Sequence, residues 1–168
     1  MTNPNDVYTV ASLFNRAINI EYTICNLYHK LSKLFSHVSK ISTFWEQLID
    51  DEKTHAKTLK EILNSLTDEQ LTAPPNKQIW EHANKIETSL KKDIIGEIKN
   101  LDDAYELAHE LEHSEINSIF KFLTMDLIHS DKRKRMISSE IRNHQQKLSH
   151  FSKNFGDKTW REEIKIQQ

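Results

Sequence analysis

Six residues of this chain have the types and spacing to do chemistry together: Glu21, Glu52, His55, Glu112, His144 and Glu140. The first four fall on apolar stripes where a charge does not belong. Glu21 is four residues after Ala17 and three before Ile24. Glu52 is four after Leu48 and four before Ala56, and His55 is four before Leu59. Glu112 is four after Ala108 and four before Ile116. Residues three and four apart share a helix face, so these side chains are expected to point into a core. His144 lies on the stripe between Ile141 and Leu148, and Glu140 lies at its flank beside Met136 and Ile137.

A lone carboxylate in an apolar core costs several kcal/mol and normally protonates or is lost. Helix after helix contributing such a group points to something bound that compensates. Metal ions would do so. Glu52 and His55 at i, i+3 project side by side and can reach one ion. In di-iron carboxylate bundles two helices each give a Glu and two each give Glu-x-x-His, and two divalent ions neutralise the carboxylates. The competing readings are a buried Glu52–His55 ion pair and stripe-edge carboxylates bonded to a neighbouring Lys or Tyr. Tyr22, Tyr28 and Tyr105 could lie near the metals or simply pack.

The elements that must position these residues read as long helices. Gly is 2 and Pro is 3 in 168 residues, so tight turns are few. A first helix is expected over about Val7 to Phe35, with steps of three and four dominating its apolar positions. A short link around Ser39 to Ser42 follows, then a second helix opened by a capping box at Thr43-Phe44-Trp45-Glu46. Leu71-Thr72-Ala73-Pro74-Pro75 breaks the pattern. Residues 76 to 98 look helical but weakly patterned, and the stretch from about 67 to 101 reads as a crossover along the bundle. A third helix is expected from an Asp102 cap and a fourth from Ser130-Asp131, with Gly156 as the stop and residues 157 to 168 as a polar tail, a short helix or frayed. The first and third helices repeat weakly. Ala17-Ile-Asn-Ile-Glu21 matches Ala108-His-Glu-Leu-Glu112, and Asn26 and Asn117 each follow five positions later. One all-α domain over 1–168, an antiparallel four-helix bundle made of two related hairpins, is the expectation.

Ala17-Ile-Asn-Ile-Glu21, Phe44-Trp-Glu-Gln-Leu-Ile-Asp-Asp-Glu-Lys-Thr-His-Ala56 and Glu106-Leu-Ala-His-Glu-Leu-Glu112 resemble the ferritin-like, rubrerythrin-related family. The resemblance spans the four main helices, with the second-helix segment the most specific. It implies a ferritin-like bundle in which Glu21, Glu52 with His55, and Glu112 are ligands of a di-nuclear iron centre. Manganese or zinc would suit the same ligands. The fourth helix departs from the pattern, reading Glu140-Ile-Arg-Asn-His144 at i, i+4. Aligned on Glu140, Asn143 stands at the His place. Aligned on His144, Ile141 stands at the Glu place. Without Glu140 three carboxylates remain, and hydroxide or another acid, Glu115 being nearest, would have to balance the charge.

The resemblance implies peroxide reduction or ferrous iron oxidation, with peroxide or dioxygen as the small-molecule partner. The rubredoxin-like module that accompanies such centres needs paired cysteines, and Cys25 stands alone. A rubrerythrin-like oxidoreductase would therefore need an external electron donor. The alternative is a non-enzymatic bundle with a vestigial or single-metal site acting as an interaction module. The net charge of -2 gives no footprint for nucleic acid. No stretch approaches a membrane span, and MTNPNDVYTV lacks a signal-peptide layout. A cytoplasmic protein is expected. A cage is disfavoured, and a homodimer through a helix face is compatible with the pattern.

Overall fold

The computed structural model describes residues 7–91, 94–113, 115–125 and 130–167. The described residues form helices α1 (Val10–Leu34), α2 (Ser39–Leu63), α3 (Asp68–Thr72), α4 (Lys77–Leu90), α5 (Leu101–His113), α6 (Glu115–Met125), α7 (Asp131–Ser149), α8 (Phe151–Phe155) and α9 (Lys158–Glu163). The bundle is built from α1, α2, the α5 and α6 segments, and α7. Among the described residues no helix is long and apolar enough to cross a membrane.

The α1–α2 hairpin is the most extensively packed pair. Thr9 caps α1, its hydroxyl accepting from the Ser12 amide. The contacts step backwards along α2 as they step forwards along α1: Glu21 faces His55, Cys25 faces Ile49, Tyr28 faces Trp45 and Ser32 faces Ser42. That sequence of pairs is what an antiparallel hairpin produces. α2 begins at Ser39, not at the predicted Thr43 box. Phe35 and Ile41 are fully buried, so the chain turns tightly beneath them and resumes its helix one turn early. Thr43 and Glu46 then lie inside α2, and the predicted link of 39–42 is helical.

The crossover is a helix with its own cap and anchor. Thr67 and Gln70 form the capping box of α3, and Pro74-Pro75 separates α3 from α4. α4 packs against α1 and α6. Its anchor is Arg16 of α1, which donates to Asn84 and to Glu87 (2.8 Å) and lies 4.4 Å over the Trp80 ring. Both ends of this ion pair are largely sheltered, which strengthens it relative to a surface pair. Arg16→Ala is expected to destabilise the chain by about 1–3 kcal/mol. A urea midpoint unchanged from the parent chain would show that α4 is held by apolar packing alone.

One further expectation needs correction, and the tail takes the short-helix alternative, as α9. Asp102 does not cap the third helix. Asn100 does, accepting from the Asp103 amide at 3.0 Å while Asp103 accepts from the Asn100 amide at 3.3 Å. Asp102 is instead buried against Arg161 of α9, whose Nε donates to it at 2.8 Å. The tail is therefore docked. Arg161 also stacks over Tyr105 and donates to the Gly156 carbonyl. Residues Ile164–Gln167 strap the end of the bundle through backbone bonds to Lys99, Leu101 and Leu34. Gly156 turns the chain into this segment with φ 78°, in the left-handed region, where an added Cβ would meet Trp160 at 3.2 Å.

Candidate metal centre

Five of the six predicted site residues meet in the core. Glu21 (2% exposed), Glu52 (2%), His55 (3%), Glu112 (4%) and His144 (1%) are all buried. They form two overlapping groups, Glu21–Glu52–His55 and Glu52–Glu112–His144, in each of which one ligand atom per residue lies within 4.8 Å of the others. Glu52 belongs to both. The sequence reading placed it in one half only. Its position on α2, between α1 on one side and the second hairpin on the other, lets one carboxylate serve both groups.

Glu140 is not brought to these groups. It is half-buried, while Ile141 and His144 take the inward positions of α7. The helical register explains this: His144 continues the stripe Ile137–Ile141–Leu148, and Glu140 is rotated off it. The place of a fourth-helix carboxylate is thus filled by Ile141. The side chain of Glu115 lies outside the described residues, as do those of His113 and His129. Tyr22 is exposed and accepts from Lys60 at 2.8 Å, and Tyr105 packs on Phe151 towards the end of the bundle.

Hydrogen bonds orient the groups. His55 Nδ1 is 3.0 Å from Glu52 Oε2 and 3.9 Å from Glu21 Oε2. The Tyr28 hydroxyl, fully buried, donates to Glu112 Oε1 at 2.6 Å. His144 Nδ1 lies 2.9 Å from Asp51, which also accepts from Lys147 at 2.6 and 2.7 Å. Asp51 is a functional candidate that sequence reasoning missed. Its signal is the rule that a ligating imidazole uses its other ring nitrogen on a carboxylate, which fixes the tautomer. Applying that rule needs the pairing of α2 with α7, which local spacing does not contain.

The electrostatics are those of a core crowded with acid groups. Burial, then the neighbouring Glu52, raises Glu21 well above the ordinary carboxylate value. Burial and Glu112 push Glu52 up to about 8. Burial lowers His55 and keeps it neutral. For Glu112 burial is outweighed by His144 and by the Tyr28 hydroxyl, so its carboxyl is held low. For His144 burial is likewise outweighed, here by Asp51 and Glu112, and its pKa rises to about 11. At neutral pH the metal-free core thus keeps its acids tolerable with protons: Glu52 is largely neutral, Glu21 is shifted the same way, and the Glu112 carboxylate stands against the His144 imidazolium.

Some donor atoms stay unsatisfied even so. Glu21 Oε2, Glu52 Oε1 and His144 Nε2 are buried with no hydrogen-bond partner. His144 Nε2 sits 2.7 Å from Glu112 Oε2 and 3.3 Å from Glu52 Oε1, close enough for charge attraction but aligned for a hydrogen bond with neither. Orphaned buried oxygen and nitrogen atoms that lie close together fit a divalent cation in type.

No curated protein and no solved structure matches the chain. The family model described as Rubrerythrin matches residues 13–150, from the first turn of α1 to the end of α7. The chain therefore belongs to the rubrerythrin family, and its all-helical fold is the ferritin-like bundle of that family.

Proposed function

We propose that this protein holds a di-nuclear iron centre (manganese being the nearest substitute) and uses it to reduce peroxide with electrons from a separate donor, or to oxidise ferrous iron with peroxide or dioxygen as the electron acceptor. The observation that carries this reading is Glu52, a single buried carboxylate shared by two groups that each also contain another carboxylate and a histidine. A shared carboxylate is what two adjacent cations require of their ligands. Glu21 and His55 would hold one ion, Glu112 and His144 the other. A bound iron pair would supply two-electron redox chemistry at a single place.

The rest of the work falls to the chain itself. Asp51 holds the His144 ring so that Nε2 faces Glu52 and Glu112. Tyr28 keeps one Glu112 oxygen occupied and leaves the other towards His144. Phe120 packs 4.5 Å from the His55 ring and helps exclude water from that side. With Ile141 in place of a fourth acid, three carboxylates would stand against two divalent ions, and one further negative charge would be needed for balance.

Metal analysis of the protein as isolated, joined to an optical spectrum for an oxygen-bridged iron pair, tests the reading. About two ions per chain are expected. Protein refolded with ferrous iron under argon that holds well under one metal per chain would sink it. The loss of the fourth-helix acid favours one second reading, a single-ion or vestigial site in a bundle that serves as an interaction module. It is distinguished by a stoichiometry of one or none with an unaltered fold.

A further inference from the structure

Tyr28 and Trp45 raise a question that packing does not answer. Trp45 is completely buried, yet its indole Nε1 has no hydrogen-bond partner. A buried orphan donor costs about 1–3 kcal/mol, which a Phe or Leu of the same stripe would avoid. The ring stacks on Tyr28 with centroids 5.8 Å apart and planes 27° apart. Tyr28 in turn touches Glu112. Trp45 also lies 6.0 Å from Phe151, which stacks on the half-buried Tyr105 at 4.9 Å and 22°. The rings thus form a chain of contacts from the acid cluster to a half-buried tyrosine, with oxidisable residues at both ends and in the middle.

We propose that Tyr28, Trp45 and Tyr105 form a relay that carries oxidising equivalents from the buried centre to the surface, where a reductant in solution quenches them. The proposal rests on the reading of the site as one that handles peroxide. Two electrons and two protons turn one peroxide into two waters; a ferrous pair would spend its own two electrons on the first peroxide, and the relay supplies the electrons for a further peroxide when the usual donor is lacking. In the first step Tyr28 gives up one electron to the oxidised site and its phenolic proton along the hydrogen bond to Glu112. Trp45 then passes an electron to the Tyr28 phenoxyl radical, which regains its proton from Glu112. Trp45, with no acceptor at Nε1, moves an electron without its proton and is left as a radical cation. Tyr105 refills it across the Phe151 ring and releases its own proton towards solvent. A one-electron donor such as ascorbate, with a proton from water, restores Tyr105.

The test uses the whole chain loaded with ferrous iron, treated with hydrogen peroxide in excess over the iron and without a donor, and frozen for electron paramagnetic resonance. Radicals on tyrosine are expected, including one removed by Tyr105→Phe. Trp45→Phe should confine the radical to Tyr28 and slow its quenching by ascorbate about tenfold or more. Trp45→Tyr keeps an oxidisable ring at that place and should restore the parent behaviour. Metal content and helicity are measured on each variant. If Trp45→Phe does not fold, Tyr105→Phe carries the test alone, since it must slow quenching as well. A second readout needs no metal. Azide radicals, which oxidise tryptophan by one electron, should produce a tryptophan radical that decays into a tyrosine radical, with a component absent from Trp45→Phe. Identical radical distribution and quenching in parent and variants overturns the relay while leaving the metal centre standing. A normal metal-free transfer in a chain that binds no metal overturns the centre and leaves the aromatic coupling standing.

Discussion

Glu52→Gln is expected to weaken metal binding severely in both halves of the site while making the metal-free chain more stable. The two effects have one cause. In the metal-free core the Glu52 pKa is pushed up to about 8 by burial and by Glu112, against an ordinary 4.5. Folding at pH 7 must therefore put a proton on a group that is ionised in the unfolded chain. Linkage makes that cost roughly 3 kcal/mol at most, and a neutral amide of the same shape avoids it. The same substitution removes the one carboxylate common to Glu21–Glu52–His55 and Glu52–Glu112–His144, so neither group keeps its ligand set. Affinity for ferrous or manganous ions should fall by about 100-fold or more at both positions. Removing Glu21 or Glu112 should weaken one position more than the other. Titration of the refolded variants with ferrous iron, followed by chelator competition, separates these cases. A Glu52→Gln chain that still binds one ion at parent affinity would mean that the two groups do not share Glu52. A chain less stable than the parent at pH 7 would mean that the carboxylate is hydrogen-bonded well enough to offset its burial.

Such an inverse relation between stability and binding is what a functional site looks like when its residues break the rules of a core. The same rule-breaking made Glu21, Glu52, His55 and Glu112 legible in the sequence, because a charged residue in a strict three-and-four stripe is conspicuous. The choice between His144 and Glu140 was legible only in part. Both lie near one face, and a rotation of one residue decides which enters the core; the apolar continuation Ile137–Ile141–Leu148 favours His144, and the structure buries it. Asp51 was not legible. Beside Glu52 it reads as an outward charge, and its meaning comes from His144 and Lys147 on a helix 93 and 96 residues away. Arg161 escaped for the same reason, since its charge is met by Asp102 and its plane by Tyr105, both more than fifty residues away. The start of α2 was misplaced because a good local capping sequence at Thr43 competes with the burial of Phe35 and Ile41, and burial is the larger effect. Periodicity thus exposes residues that violate their own helix, whereas partners that depend on the register between helices stay hidden.

Metal uptake is expected to release about two or more protons per chain at neutral pH, and the stability gained from metal should grow with pH. The protons are those that stand in for the cations in the metal-free core. Glu52 is raised to about 8 and His144 to about 11, so each holds a proton at pH 7 that a ligand must lose, and Glu21, raised well above 4.5 by burial, shifts in the same direction. Glu112 is held low and His55 is neutral, so neither contributes. For the metal-free chain the signs follow from the same shifts. Glu52 takes up its proton on folding, so stability falls as pH rises from about 4.5 to about 8. The stabilisation from His144 is complete below about 6.5 and is lost as pH rises towards about 11. Glu112 and Asp51, held low, give stability that is lost as pH drops below the ordinary carboxylate range. His55, lowered by burial, also disfavours folding below its ordinary 6.5. Mildly acidic solution should therefore suit the metal-free chain best. The loaded chain has no such protons to hold, and its melting temperature should fall much less between pH 6 and pH 8.5 than that of the chelator-treated chain. Calorimetric titration in buffers of differing ionisation enthalpy counts the protons directly. Uptake with no proton release, or a melting gap between loaded and stripped protein that is constant across this range, would mean that the metal binds elsewhere than among Glu21, Glu52 and His144.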